Sequence, residues 1–111
     1  MQGAPIILAG YSFGAAAAWG AAARAGALAA LVLIAAPLRM MDTGSLPAVG
    51  NIVLIGGSQD SFCPAAELEG LCARLGKGAS FRVIDGADHF FGGHEDEVTA
   101  ALSEMLGAIA A

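Results

Sequence analysis

Hydrophobic and polar positions fall in blocks along this chain of 111 residues rather than singly. Short, mostly apolar runs at residues 5–9, 31–35, 51–55 and 81–84 have the character of strands buried on both faces, as in a parallel sheet. Helical patterns separate them. Residues 13–25 predict a helix of small side chains, whose alanines let it approach a sheet closely, with Trp19 in the core. Pro64 is expected at the first position of the next helix, where Leu68, Leu71, Cys72 and Leu75 fall at i, i+3, i+4 and i+7 and Gly76 closes the segment. The last helix is expected to begin near His94, with Glu95, Asp96 and Glu97 against the positive end of its dipole. Its apolar stripe is Val98, Ala101, Leu102, Met105 and Ile109. Residues 37–50 show no period, contain Pro37, Pro47 and a Gly-Ser pair, and read as a long connection with room for one short helical turn.

This alternation predicts an α/β fold of three layers: a four-stranded parallel sheet in sequential order, with the first and third helices on opposite faces. Right-handed crossovers in such a sheet bring reactive groups together beyond the carboxyl ends of the strands. With no repeat, low-complexity tail or linker, residues 1–111 read as a single domain. Hydrophobic residues make up 57% of the chain and charged ones 14%, whereas ordinary domains are about 45–50% and about 25%. More must therefore cover the apolar surface than the chain's own polar residues. A net charge of −5 argues against nucleic acid or a membrane surface as partner. No apolar run reaches the roughly 20 residues that span a bilayer, and the N-terminus lacks the basic region of a signal peptide. Cys63 and Cys72 show no metal-ligand spacing and read as small hydrophobes of a cytoplasmic, reducing compartment. Nothing calls for a metal or cofactor.

Candidate chemistry begins at Gly10-Tyr11-Ser12-Phe13-Gly14, directly after an apolar run and before a helical stretch. A serine at a sharp strand-to-helix turn is lifted above the sheet, and flanking glycines remove side chains that would collide there. Asp60 and His89 follow, each just past an apolar run, as expected of an acid that orients a base and a base that takes the serine proton. Asp60 also fits a turn or cap role before Ser61 and Pro64, and Asp88 and Asp85 are lesser candidates for the acid. Phe90, Phe91, Met40 and Met41 either line an acyl or leaving-group pocket or cap the core. Tyr11, Met40 and Phe90 are the expected substrate contacts. His94 reads as a solvated residue at a helix start, and Asp42 and Glu67 as surface.

The order Ser, Asp, His resembles that of the α/β-hydrolases. GYSFG, LVLIAAP, GSQD and GADHFFGG look most similar to the small dienelactone-hydrolase-related bacterial branch, and the resemblance runs from Ile6 to the C-terminus. It implies acyl transfer at Ser12 on small acyl esters, with an acyl-enzyme intermediate and the backbone N–H of Phe13 as one oxyanion donor. Members of the family normally carry several strands before the elbow strand, with a loop that supplies a second donor. This chain starts at the elbow strand, so a truncated or minimal half fold is expected, and a weak esterase. The alternative is a non-catalytic remnant or fragment serving as scaffold or interaction module. An exposed apolar edge at residues 5–9 further predicts a homodimer.

Overall fold

A computed structural model describes residues 5–110. The elements run β1 (Ile7–Tyr11), α1 (Phe13–Ala22), β2 (Ala30–Ile34), a 3-10 turn (Leu38–Met40), β3 (Ile52–Gly57), α2 (Ala65–Leu75), β4 (Ala79–Ile84) and α3 (Glu95–Ala110). The four strands lie in the order β1-β2-β3-β4, and every neighbouring pair is parallel. The expected three-layer arrangement follows from where alternate side chains point.

Successive side chains of a strand point to opposite faces, so a run that is apolar throughout needs cover on both sides. In β2, Leu31 and Leu33 pack with Ala15, Ala18 and Trp19 of α1, while Val32 turns to the other face. In β3, Ile52 and Leu54 join Leu68 and Leu71 of α2, while Val53 and Ile55 meet Ala101 and Met105 of α3. Helices α1 and α2 thus share one face, and α3 covers the other. The long connection after β2 also contributes: Ala36 and Leu38 are buried on the α1/α2 side, with Met41 and Val49 packed against them.

Burial on both faces holds for β2 and β3 and fails for the outer strands. Every residue of β3 is buried, whereas β1 alternates between exposed and partly buried positions and Ile7 is 50% exposed. Among the described residues, β1 has one strand neighbour, β2.

Several boundaries differ from those the pattern predicts. Strand β1 extends to Tyr11 because Gly10 and Tyr11 still pair with Leu33 and Ile34. Strand β4 starts at Ala79, paired with Ile52, before its apolar run begins. Helix α1 stops at Ala22, since the N–H groups of Arg24 and Ala25 donate to Ala21 and Ala22, three residues back, and tighten the chain out of the α-helix. Pro64 caps α2 instead of opening it. Its ψ of 137° is extended, and its carbonyl accepts the N–H of Leu68. No helix among the described residues is long and apolar enough to cross a membrane.

Candidate active site

Ser12 sits where β1 gives way to α1, at φ 59° and ψ −123°. A side-chain-bearing residue in this region stores of order 1–3 kcal/mol, so its surroundings must hold it there. Its N–H donates to the carbonyl of Ile34 at 2.8 Å, and its own carbonyl accepts the N–H of Ala15 at 2.9 Å. The bend is thereby fixed to β2 on one side and to the first turn of α1 on the other. A methyl group at Gly10 would run into the backbone of Gly14, so only glycine fits there. Gly14 departs from the expectation for the motif: a methyl group at that position would meet nothing within 4 Å.

The Ser12 Oγ lies 2.7 Å from His89 Nε2, and His89 Nδ1 lies 2.7 Å from Asp60 Oδ2. Three side chains from the ends of three strands therefore form one hydrogen-bonded chain. An ionised carboxylate only accepts, so Nδ1 carries the proton in a neutral imidazole and Nε2 accepts from the serine hydroxyl. The Asp60 side chain is fully buried and the His89 side chain 12% exposed. Burying a carboxylate is costly unless donors surround it. Asp60 has them: its other oxygen accepts the N–H groups of Phe62 at 2.8 Å and Cys63 at 3.2 Å. The turn role and the His-orienting position are thus filled by the same carboxyl group. Asp88 instead binds the N–H of Phe90 at 2.9 Å, and Asp85 is exposed.

The loops after β3 and β4 are tied to each other before either reaches Ser12. A methyl group at Gly57 would overlap the carbonyl of Ala87, so the two backbones meet only because the residue is glycine. Gln59 N–H donates to Ala87 O at 2.8 Å, and Gly86 N–H to Ser58 Oγ at 2.7 Å. Tyr11 fastens this assembly to the elbow, its hydroxyl donating to the carbonyl of His89 at 2.9 Å and its ring stacked 6.1 Å from the imidazole. Burial, with Asp60 and Asp88 adding to it, raises the Tyr11 pKa and keeps the proton that this bond uses.

A cleft of about 360 Å³ opens over Ser12, lined by Ser12, Phe13, Pro37, Phe62, His89 and Phe90. Phe62 and Phe90 stand 5.2 Å and 5.3 Å from the imidazole, centroid to centroid. Phe62 had no motif to mark it, its only sequence signal being its place two residues after Asp60, and Pro37, at the end of the LVLIAAP run, was read only as part of the connection after β2. Phe13 begins α1, so its N–H is one of the first-turn donors without an intrahelical acceptor. Met40, an expected substrate contact, stands outside the cleft lining on the 3-10 turn, 62% exposed. Tyr11 lines an adjoining cleft, whereas Met41 and Phe91 pack into the two cores. His94 stands directly before α3, as expected, and its Nδ1 lies 2.6 Å from Glu97 Oε1 in an exposed pair.

Comparison with solved structures yields several whose likeness covers nearly all of this chain. An α/β serine hydrolase homologue from Coxiella burnetii matches with a TM-score of 0.78 and 29% identity, over 90% of this chain and 48% of that one. A protein of unknown function from Agrobacterium tumefaciens, provisionally assigned as an α/β hydrolase, matches at 0.81 and 26%, over 93% and 50%. An α/β serine hydrolase without lid from Xanthomonas campestris matches at 0.80 and 23%, over 94% and 47%. No family model and no curated protein matches the sequence. The chain has the α/β-hydrolase fold, and it spans about half the length of these solved structures.

Cys63 packs beneath the acid loop, its thiol raised from 9.0 to about 12 by burial, with Asp60 and Glu67 adding to the shift. The unfolded chain loses this proton near its ordinary pKa while the native state keeps it. Stability is therefore fully present below pH 9.0 and declines between there and about 12. The slope approaches about 1.4 kcal/mol per pH unit. Urea unfolding at a series of alkaline pH values should show this decline in the parent and a shallower one in Cys63→Ala. Equal slopes would contradict the burial of the thiol.

Proposed function

We propose that Ser12, His89 and Asp60 act as nucleophile, general base and orienting acid of a serine carboxylesterase that cleaves small acyl esters. The observation that carries this reading is the unbroken chain of 2.7 Å contacts ending on a serine held in a strained elbow. The hydrolase-type fold shared with the solved structures supports it.

In this scheme His89 Nε2 takes the hydroxyl proton as Ser12 Oγ attacks the ester carbonyl, and the carbonyl electrons move onto oxygen. The Phe13 N–H stabilises that oxyanion. As the tetrahedral intermediate collapses, the C–O bond to the leaving group breaks and His89 returns the proton to the departing alcohol. Water then repeats the sequence on the acyl-enzyme: His89 takes its proton, its oxygen attacks, and the acid leaves as Ser12 recovers its hydrogen. Asp60 keeps the imidazole in the productive tautomer and stabilises its charged form. Each oxyanion donor is worth about 10²–10³ in turnover, so a site relying on Phe13 alone should be slow.

Incubation with a fluorophosphonate should label the parent at Ser12 and leave Ser12→Ala unlabelled. Turnover of p-nitrophenyl butyrate should disappear in Ser12→Ala and His89→Ala and fall roughly 10⁴-fold in Asp60→Asn. An unlabelled, inactive parent would favour the non-catalytic scaffold reading, which the half-length match also suits.

We further assign the edge of β1 that has no strand neighbour among the described residues to a second copy of the chain. Ile6 and Ile7 are 62% and 50% exposed there. Unpaired strand edges with apolar side chains invite pairing, and twofold dimers are the commonest closed solution. Light scattering at micromolar concentration should give a dimer that Ile7→Lys dissociates. A monomeric parent would overturn this assignment.

A further inference from the structure

We propose that the ester attacked at Ser12 is uncharged and seats one apolar limb in the cleft over the serine, and that Phe90 sets the longest limb accepted. This rests on the esterase reading and extends it to substrate class. Apart from Ser12 and His89, the cleft is walled by Phe13, Pro37, Phe62 and Phe90. None of these offers a charged or hydrogen-bonding side chain to a limb that enters. A carboxylate there would lose its water without gaining a cation, which is costly. The charge of the whole chain, −5, opposes it as well.

A second cleft, of about 290 Å³, lies on the α3 side of the elbow, walled chiefly by Tyr11, Ile34, Phe91 and Val98, with Glu95 its one charged residue. Phe90 lines both clefts, and no other residue does. Its position follows from the loop backbone. Phe91 takes a φ of 56° and turns its ring into the α3 core, where it is 4% exposed. The neighbouring Phe90 is thereby sent outward, its N–H held by Asp88 and its ring set edge-on to the imidazole at 82°. Phe90 is 75% exposed, so its ring acts as a partition and contributes little to the core. Removing it joins the cleft over Ser12 to the second one and gives a longer limb somewhere apolar to go.

Binding can be read without turnover in Ser12→Ala, with Ser12→Gly, unstrained at this φ, as a second background. Two ester series would be titrated by calorimetry or ligand-observed NMR: methyl esters of acids from butanoate upward, and acetates of alcohols from butanol upward. Affinity in at least one series should rise roughly fourfold per methylene and then level off at a limiting length. Adding Phe90→Ala should move that limit to longer chains, and monomethyl glutarate should bind at least about tenfold more weakly than methyl pentanoate. Affinities independent of length in both series, or an unchanged limit in Phe90→Ala, would each overturn the proposal, as would equal binding of the glutarate where the acid series is the length-dependent one. A length limit that depends on Phe90, in a parent whose Ser12 resists fluorophosphonate, would sink the triad reading and leave the cleft assignment standing. A labelled Ser12 with flat affinities would do the reverse.

Discussion

Backbone strain at Ser12 constrains everything around it. A φ of 59° is available to serine only at a cost, and the bend survives because Ile34 O and Ala15 N–H hold its two ends. That requirement fixes β2 beside β1, starts α1 at Phe13, and leaves no room for a side chain at Gly10. Ala35 and Phe91 also have positive φ, at 53° and 56°, and both lie near the carboxyl ends of the strands. Such strain tends to gather where a fold positions reactive groups. Among the described residues, the three non-glycine residues that carry it all lie past the carboxyl ends of strands.

The acid and the base reach the serine as one unit. Gly57 lets the loops after β3 and β4 touch, and bonds from Gln59 and Gly86 lock them together. Asp60 then serves both loops: one oxygen gathers the N–H groups of its own turn and the other fixes the imidazole. A change that loosens that turn would also free His89 to rotate. Tyr11 adds the last restraint, since its hydroxyl joins the elbow strand to the His89 backbone across 78 positions of sequence.

Much of this was legible in the residues. The apolar residues of 31–35 and 52–55 had no polar face to give to water, which forced two-sided cover and hence a parallel sheet between helical layers. Ser12, Asp60 and His89 were marked by their place just beyond such runs. What stayed hidden depends on contacts between distant segments. The exposure of β1 reflects its place at the edge, which its Ile-Ile-Leu sequence does not reveal. Pro64 fits a first helical position as readily as a cap until ψ is known. Met40 and Phe90 are both large, apolar and near motifs, yet one sits on a solvent-facing turn and the other on the cleft rim. Phe62 reaches the imidazole only because the Asp60 turn curls back, and Gly57 signals its importance only once Ala87 is seen against it.

The proposed triad depends on a neutral imidazole held by Asp60 and presenting a bare Nε2 to Ser12. Nitrogen-15 NMR of labelled protein reads the His89 tautomer directly, with the other histidine, His94, removed by His94→Gln to simplify assignment. The triad requires the Nδ1–H tautomer in the neutral ring, with a downfield Nδ1 proton that disappears in Asp60→Asn. An Nε2–H tautomer, or a ring averaging between the two forms, would contradict it.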